Sequence, residues 1–400
     1  MSELENLIQR LCPDGVEYRH LVDVANVLYG YPFDASLFTT QNEYMSLIRI
    51  RDIKCGKTET YYKGDVLEDY IIRKNDILVG MDGEFNLARW QSSNALLNQR
   101  VCKIYTKNTQ VLLDGFLFHL LLPLFKNIEK EIQGSTVKHL SAKIINTIKI
   151  PVPPIEVQRE IVRILDNFTE LKAELTAELT ARKKQYEYYR DTLILGQDVE
   201  RKTLGEIATE LYRGAGIKRD EVTKEGIECV RYGEIYTTYD IWFDKCVSHT
   251  NEEKITSKKY FENGDILFAI TGESVEEIAK SCAYVGDKKC LAGGDIVVMK
   301  HNQNPKYLAY ALSTTEAQRQ KSYGKIKSKV VHASAPSISA ISIPLPSLDK
   351  QARIADILDK FHRLVTDISQ GIPAEIAARK KQYEYYRDKL LTFKEKVISG

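Results

Sequence analysis

The chain has 400 residues, 43% of them apolar and 28% charged, with a formal net charge of only +2. That is enough chain for two to four domains with cores of their own, and it excludes a disordered or strongly polycationic protein. The longest apolar run, Gly115–Phe125, holds His119 and Pro123 and falls far short of the roughly 20 residues that span a bilayer, so no membrane segment is expected.

From the N-terminus, the acidic, amphipathic MSELENLIQRL is unlike a basic-then-apolar export signal, and a cytoplasmic protein is expected. Seven scattered cysteines without Cys-x-x-Cys spacing support neither a zinc cluster nor a disulfide framework. Short β-like runs follow at Tyr44–Ile50, Tyr70–Ile72, Asp76–Val79 and Arg100–Tyr105, separated by Gly, Asn and Asp turns, then a helical pattern at Phe116–Ile132. They read as one mixed α+β domain. In its apolar run, His119 is expected to be a core histidine rather than a ligand.

A helical stretch begins near Ile155, with Ile161, Ile164, Phe168, Leu171, Leu175, Leu179, Tyr186, Tyr189 and Leu193 alternating at threes and fours once Arg182 fills one seam position. Two fours in a row, inside AELTAELTA (Ala173–Ala181), mark a coiled-coil seam with a stutter. A second domain then repeats the order of the first: Leu204-Gly205-Glu206-Ile207-Ala208 answers Leu21-Val22-Asp23-Val24-Ala25, and Asn263-Gly264-Asp265-Ile266-Leu267 answers Lys74-Asn75-Asp76-Ile77-Leu78. Turn glycines Gly83 and Gly272 follow. Each domain closes on a proline-punctuated strand, Ile150–Pro154 and Ile343–Pro346. The second helical stretch is broken at Gly371-Ile372-Pro373, so one long helix is expected first and two pieces second.

The eleven-residue string ARKKQYEYYRD occurs unchanged at Ala181–Asp191 and Ala378–Asp388, and Gln158, Leu165, Asp166 and Phe168 recur as Gln351, Leu358, Asp359 and Phe361. Such self-similarity outranks single motifs. A coiled-coil seam needs only its inner face specified, yet the strings agree on every face. Two docked copies of one partner explain this; recent duplication is the competing explanation. The junction Val16-Glu17…Leu21 recurs as Val199-Glu200…Leu204, which suggests circular, pseudo-twofold logic, with the N-terminal helix and the end of the first helical copy as equivalents.

No phosphate loop, dinucleotide fingerprint, His-Glu-x-x-His or Gly-x-Ser-x-Gly occurs, so no catalytic residue or metal site is assigned. Cations and amides in loops are the candidate DNA contacts. They are Tyr31, Arg49, Arg51, Arg89, Gln91, Ser92 and Lys138 in the first domain, and Arg213, Lys218, Arg219, Arg231, Lys325, Lys327 and Lys329 in the second. The last three lie in a basic window that also contains Arg319 and Lys321. Arg49 and Arg231 occupy matching places in matching strands.

The repeated string, the Ile-Pro-x-Pro strands and the AELTAELTA unit together resemble the DNA-specificity subunit of type I restriction-modification enzymes, over essentially the whole chain. The resemblance implies an α+β fold. Two pseudo-symmetric, mixed α/β target recognition domains are separated by two long helical regions that form an antiparallel coiled coil. The boundaries expected are an N-terminal helix at 1–20, recognition domains at 21–154 and 198–346, and helical regions at 155–197 and 347–400. It further implies that the chain is non-catalytic and that each domain reads one half of a bipartite, asymmetric site in double-stranded DNA. The helices would set the spacer, with Thr176, Ala177, Glu178 and Leu179 as ruler. Two methyltransferase subunits would dock on Lys183, Lys184, Gln185, Tyr188 and Arg190 and on Lys380, Lys381, Gln382, Tyr385 and Arg387. This chain would bind no cofactor; S-adenosylmethionine belongs to the methyltransferases, and ATP and Mg to a motor-nuclease subunit that joins for restriction. The alternative is a coiled-coil adaptor whose globular domains bind protein or carbohydrate.

Overall fold

The computed structural model describes residues 3–132, 139–196, 198–325, 330–366 and 371–396. The chain divides into two compact units, Met1–Glu174 with Ile376–Gly400, and Leu175–Glu375. The division runs through the helical regions, so each unit holds one sheet domain and a part of each region.

In the first unit, Ala25–Tyr29, Val101–Thr106, Ile77–Gly80 and Leu87–Arg89 form an antiparallel sheet in that spatial order. A second sheet orders Phe38–Thr39, Tyr61–Tyr62, Met45–Ile48, Ala95–Leu97 and Ile71–Ile72, with Met45–Ile48 parallel to Ala95–Leu97. The helix Asp114–Glu131 contributes Phe116, Leu117, Leu121 and Phe125, all fully buried, to the core.

The second unit repeats this plan. Ala208–Arg213, Ile296–His301, Ile266–Ala269, Ser281–Tyr284 and Trp242–Phe243 make one sheet. Val222–Thr223, Ser248–Thr250, Ile227–Val230, Cys290–Ala292 and Tyr260–Phe261 make the other, with Ile227–Val230 parallel to Cys290–Ala292. The aligned turns agree in detail: the left-handed position is Asn75 in one (φ +74°) and Gly264 in the other (φ +96°), the residue types that tolerate it best. The following Asp76 and Asp265 accept the N–H of Arg73 and Glu262 at 2.7 and 2.9 Å. Gly83 is a turn glycine at φ +73°. Gly272 is not; it lies in the strand Thr271–Gly272 paired with Val331–His332.

The central helix, Ile155–Leu195, runs unbroken for 41 residues. The second region forms Leu348–Thr366 and Ile372–Leu390, with Pro373 in the first turn, where a missing N–H costs nothing. Pairing is antiparallel within each unit. Phe168 stacks on Tyr386 at 5.5 Å in the first, and Tyr189 on Phe361 at 5.7 Å in the second.

The first junction meets the segment after the last helix. The Val16 N–H donates to the Lys394 carbonyl at 2.8 Å and the Lys396 N–H to the Val16 carbonyl at 2.9 Å, closing the circle suggested by the repeat. One expectation is corrected: beside the first domain the place that Tyr186 holds beside the second is taken by Tyr383 of the C-terminal helix. The N-terminal helix Glu3–Leu11 is an addition, placing Leu4, Leu7 and Ile8 in the same core as Ile164, Leu390 and Phe393.

Two glutamines, both fully buried, join each domain to its helix. Gln158 accepts from the Leu113 N–H at 2.9 Å and donates to the carbonyls of Val111 and Pro153 at 2.8 and 2.7 Å. Gln351 accepts from the Asn304 N–H at 3.0 Å and donates to Gln303 and the Pro346 carbonyl at 2.9 and 2.8 Å. Only an amide offers donors and an acceptor in this arrangement. Gln351→Leu strands these partners, and we expect a loss of about 2–4 kcal/mol, read as a lower urea midpoint; an unchanged midpoint would show that the amide does not secure the junction.

Candidate nucleic-acid interface

The two sheets of each domain meet where the strand after the first junction crosses the end of the parallel pair. At that crossing the Gly30 N–H bonds the Val101 carbonyl and the Tyr31 N–H bonds that of Leu97, both at 2.9 Å. In the second domain Gly214 and Ala215 do the same with Ile296 and Ala292, at 2.8 and 3.0 Å. A Cβ on Gly30 would stand 2.0 Å from the Asn98 carbonyl oxygen, and one on Gly214 2.2 Å from that of Gly293, so the approach requires glycine at both places.

Several of the candidates converge there. Ile48 is in register with Leu97, which sets Arg49 beside Asn98 and near Tyr31, whose ring is 40% exposed and packed edge-on against Phe33 at 5.0 Å. Arg100, which the sequence reading passed over, stands at φ +71° next to them and pairs with Asp82 at 3.3 Å. In the second domain Val230 is in register with Ala292, which sets Arg231 beside Gly293 and near Arg213. Arg49 and Arg231 do match, but each lies one residue beyond its strand, where its N–H bonds Asp52 at 2.9 Å and Glu234 at 3.1 Å. Arg213 pairs with Asp295 at 2.7 Å and Arg51 lies 3.8 Å from Asp52.

Others stand elsewhere. Arg89 is 3.7 Å from Asp166 and covers the Phe118 ring at 4.4 Å, facing the central helix. Gln91 packs over Gly56, and the Ser92 hydroxyl bonds the Gly56 carbonyl at 2.9 Å; both secure a loop. Lys218 is exposed, Lys325 is half-buried, and Arg219 opens a short helical turn, Arg219–Glu221. Lys138, Lys327 and Lys329 lie outside the described residues.

The basic window is also interrupted. Lys321 is 4% exposed, with Nζ donating to the Leu312 carbonyl at 2.8 Å and to Ser281 Oγ at 3.2 Å. Burial pushes its pKa down to about 7, so it is no surface cation.

The helical strings show two faces. Lys183, Lys184 and Gln185 are exposed and Tyr188 is 67% so; Lys380, Lys381, Gln382 and Tyr385, at 63%, repeat them. Arg190 and Arg387 turn the other way, over the rings of Tyr186 and Tyr383 at 5.9 and 5.8 Å, each bound to its neighbouring aspartate. Of the residues expected to act as ruler, Thr176, Ala177 and Glu178 are exposed and Leu179 is half-buried.

Behind these faces, Asp166 and Asp359 anchor equivalent clusters. His119, fully buried as expected of a core histidine, lies 2.8 Å from Asp166 through Nε2 and 3.2 Å from the Tyr383 hydroxyl through Nδ1. The His119 hydrogen bond holds the Asp166 carboxyl below the usual carboxylate range. At Asp359, burial pushes upward, but hydrogen bonds from Lys306, Tyr310 and Trp242 outweigh it and the carboxyl is lowered. Among the described residues no helix is long and apolar enough to cross a membrane.

The depressed Lys321 pKa means that the unfolded chain carries a proton the folded one releases, so this residue's contribution favours folding more as pH rises from about 7 towards 10. Lys321→Met, which removes the titration, should gain most in thermal midpoint at the low end of that window and progressively less towards the high end. A gain independent of pH would mean that Lys321 is not titrating in the fold.

A family model described as "Type I restriction modification DNA specificity domain" matches residues 13–182 and 196–378. The "Type I restriction enzyme EcoR124I/EcoR124II specificity subunit" of Escherichia coli is 34% identical over 269 residues, 63% of this chain and 65% of that one. A Haemophilus influenzae protein with a type I specificity-subunit name is 27% identical over 398 residues, 94% of this chain and 96% of its own. A solved structure reported under complex assembly and conformational transition of the type I R-M system shares the fold, with TM-score 0.62, 16% identity and coverage of 95% and 98%. Two matched segments, one per repeated domain and together most of the chain, place this protein in the type I restriction-modification DNA specificity family.

Proposed function

We propose that each sheet domain reads one half of a bipartite duplex site, and that the helices set the spacing and recruit two methyltransferase subunits. Those partners would supply S-adenosylmethionine chemistry, and a motor-nuclease subunit with ATP and Mg would add restriction. The observation that carries this reading is the duplicated plan: one strand order in both domains apart from the added edge strand Trp242–Phe243, with Arg49 and Arg231 at the same crossing and the same exposed Lys-Lys-Gln-x-x-Tyr surface on both helical copies. Packing accounts for the inward half of the repeated string. It gives no reason to repeat Lys183, Lys184, Gln185 and Tyr188 at exposed positions, whereas two copies of one partner do.

The two surfaces differ near the domains. In the first unit Leu4 and Ile8 of the N-terminal helix share a core with Ile164. Ile164, Phe168 and Leu171 are half-buried there, while their counterparts in the second unit are more open, with Ile357 at 41%, Phe361 at 37% and Leu364 at 59% exposed. Two identical partners would therefore meet a common distal surface and unlike flanks.

Two experiments test the reading. The first co-expresses the chain with its cognate methyltransferase in a methylation-free host and maps modified bases. A split motif with one adenine methylated per half is expected, and deleting Thr176–Leu179 should change the spacer alone, because it removes about 6 Å of rise and about 40° of rotation. An unsplit motif, or an unaltered site after the deletion, sinks the proposal. In the second, Lys184→Glu with Tyr188→Ala should reduce the methyltransferases held per chain from two to one in native mass spectrometry; retention of both would place the docking surface elsewhere.

A further inference from the structure

The second domain brings together three buried side chains of metal-ligand type from distant parts of the sequence. Ligand atoms of Glu228, Cys246 and Cys290 all lie within 4.8 Å of one another. Glu228 belongs to the strand Ile227–Val230, Cys290 opens the strand parallel to it, and Cys246 lies just before Ser248–Thr250. Since Cys229 is in register with Leu291, Glu228 and Cys290 each precede a paired residue and project to the same face. The Cys246 N–H donates to Glu228 Oε2 at 3.1 Å, drawing the third segment in.

We propose that Glu228, Cys246 and Cys290 bind a divalent ion of borderline softness, zinc being the best fit. Two thiolates and a carboxylate suit zinc in ligand type, and binding would release the two thiol protons to solvent. Charge closes as well: three negative ligands against a doubly positive ion leave one negative charge, which the Lys288 ammonium, hydrogen-bonded to Glu228 Oε1, offsets. A carboxylate and two thiols buried side by side make a costly interior unless they serve one another, and a metal gives them a common use. Further support surrounds the ligands. The Tyr284 hydroxyl lies 3.5 Å from Cys290 Sγ and is fixed by the Lys288 N–H at 3.3 Å, the kind of outer contact that orients a thiolate.

Among the described residues the first domain has no counterpart. By register of the matching strands, Ser46 and Ala95 stand where Glu228 and Cys290 do. The site therefore belongs to the second domain alone, three residues from Arg231 at the candidate DNA-reading crossing, and the ion would tie the Cys246 segment to the strands that set that arginine.

The test is titration of the reduced full chain with cobalt(II) as a spectroscopic stand-in for zinc. One cobalt per chain with a thiolate-to-cobalt charge-transfer band, displaced by one equivalent of zinc, is expected. Cys290→Ser and Cys246→Ser should each weaken binding about a hundredfold or more, and Cys55→Ser should leave it unchanged. Absence of the band in the wild-type chain, a result that depends on no variant folding, overturns the site. So does a band that survives both serine variants, which would mark adventitious metal on another thiol such as the exposed Cys55.

Discussion

Each unit depends on a few buried polar bonds that hold a sheet domain to a helix at one place and angle. Apolar packing alone would tolerate sliding by a residue or a turn; a fully buried amide that must satisfy a loop N–H and two acceptors does not. Gln158 and Gln351 act at the start of the helix, and Asp166 and Asp359 act two turns on. Each pair ties the helix to the domain at separated points, enough to fix rotation as well as position. A spacer set by a helix needs this, because the rotational register of a domain is only as definite as its attachment.

The circular closure follows from the same demand. The second domain receives its helix from before it, at Tyr186, and from after it, at Asp359. The first domain follows no helical copy in the sequence, and the C-terminal copy fills that place: Tyr383 reaches His119, and residues 393–396 lie along Val16 and Tyr18. With both positions filled, each domain sits in the same two-helix setting. The same local setting thus occurs in each unit of one linear chain.

Much of this was legible because duplication writes structure into sequence twice. The broken second helix, the proline strands, the aligned turn at Asn75 and Gly264 and the core role of His119 were all readable. The inner side of surface-like residues was not. Lys321 and Arg89 read as loop cations, yet one is buried against a helix-end carbonyl and the other pairs with Asp166; composition carries no sign of which way a long side chain lies. Arg190 and Arg387 likewise read as docking cations and turn inward over tyrosines. Gly272 read as a turn because glycine serves close approach in a strand as readily as it serves a turn. The thiol cluster left no mark at all, since Cys246 and Cys290 lie 44 positions apart and only strand register joins them.

The two identical strings are not in identical surroundings, and this bears on why they remain identical. Tyr383 finds His119 at its hydroxyl, while the buried Tyr186 hydroxyl has no hydrogen-bond partner, because Tyr310, at the place of His119, gives its own hydroxyl to Asp359. Adaptation to packing would favour phenylalanine at the second-domain position, where an unpaired buried hydroxyl costs about 1–3 kcal/mol. The sequence keeps tyrosine there. The inward face thus retains a residue that its own surroundings do not reward, as though the string were held constant as a unit, and the proposed docking of one partner on both outer surfaces would supply the constraint that local packing lacks.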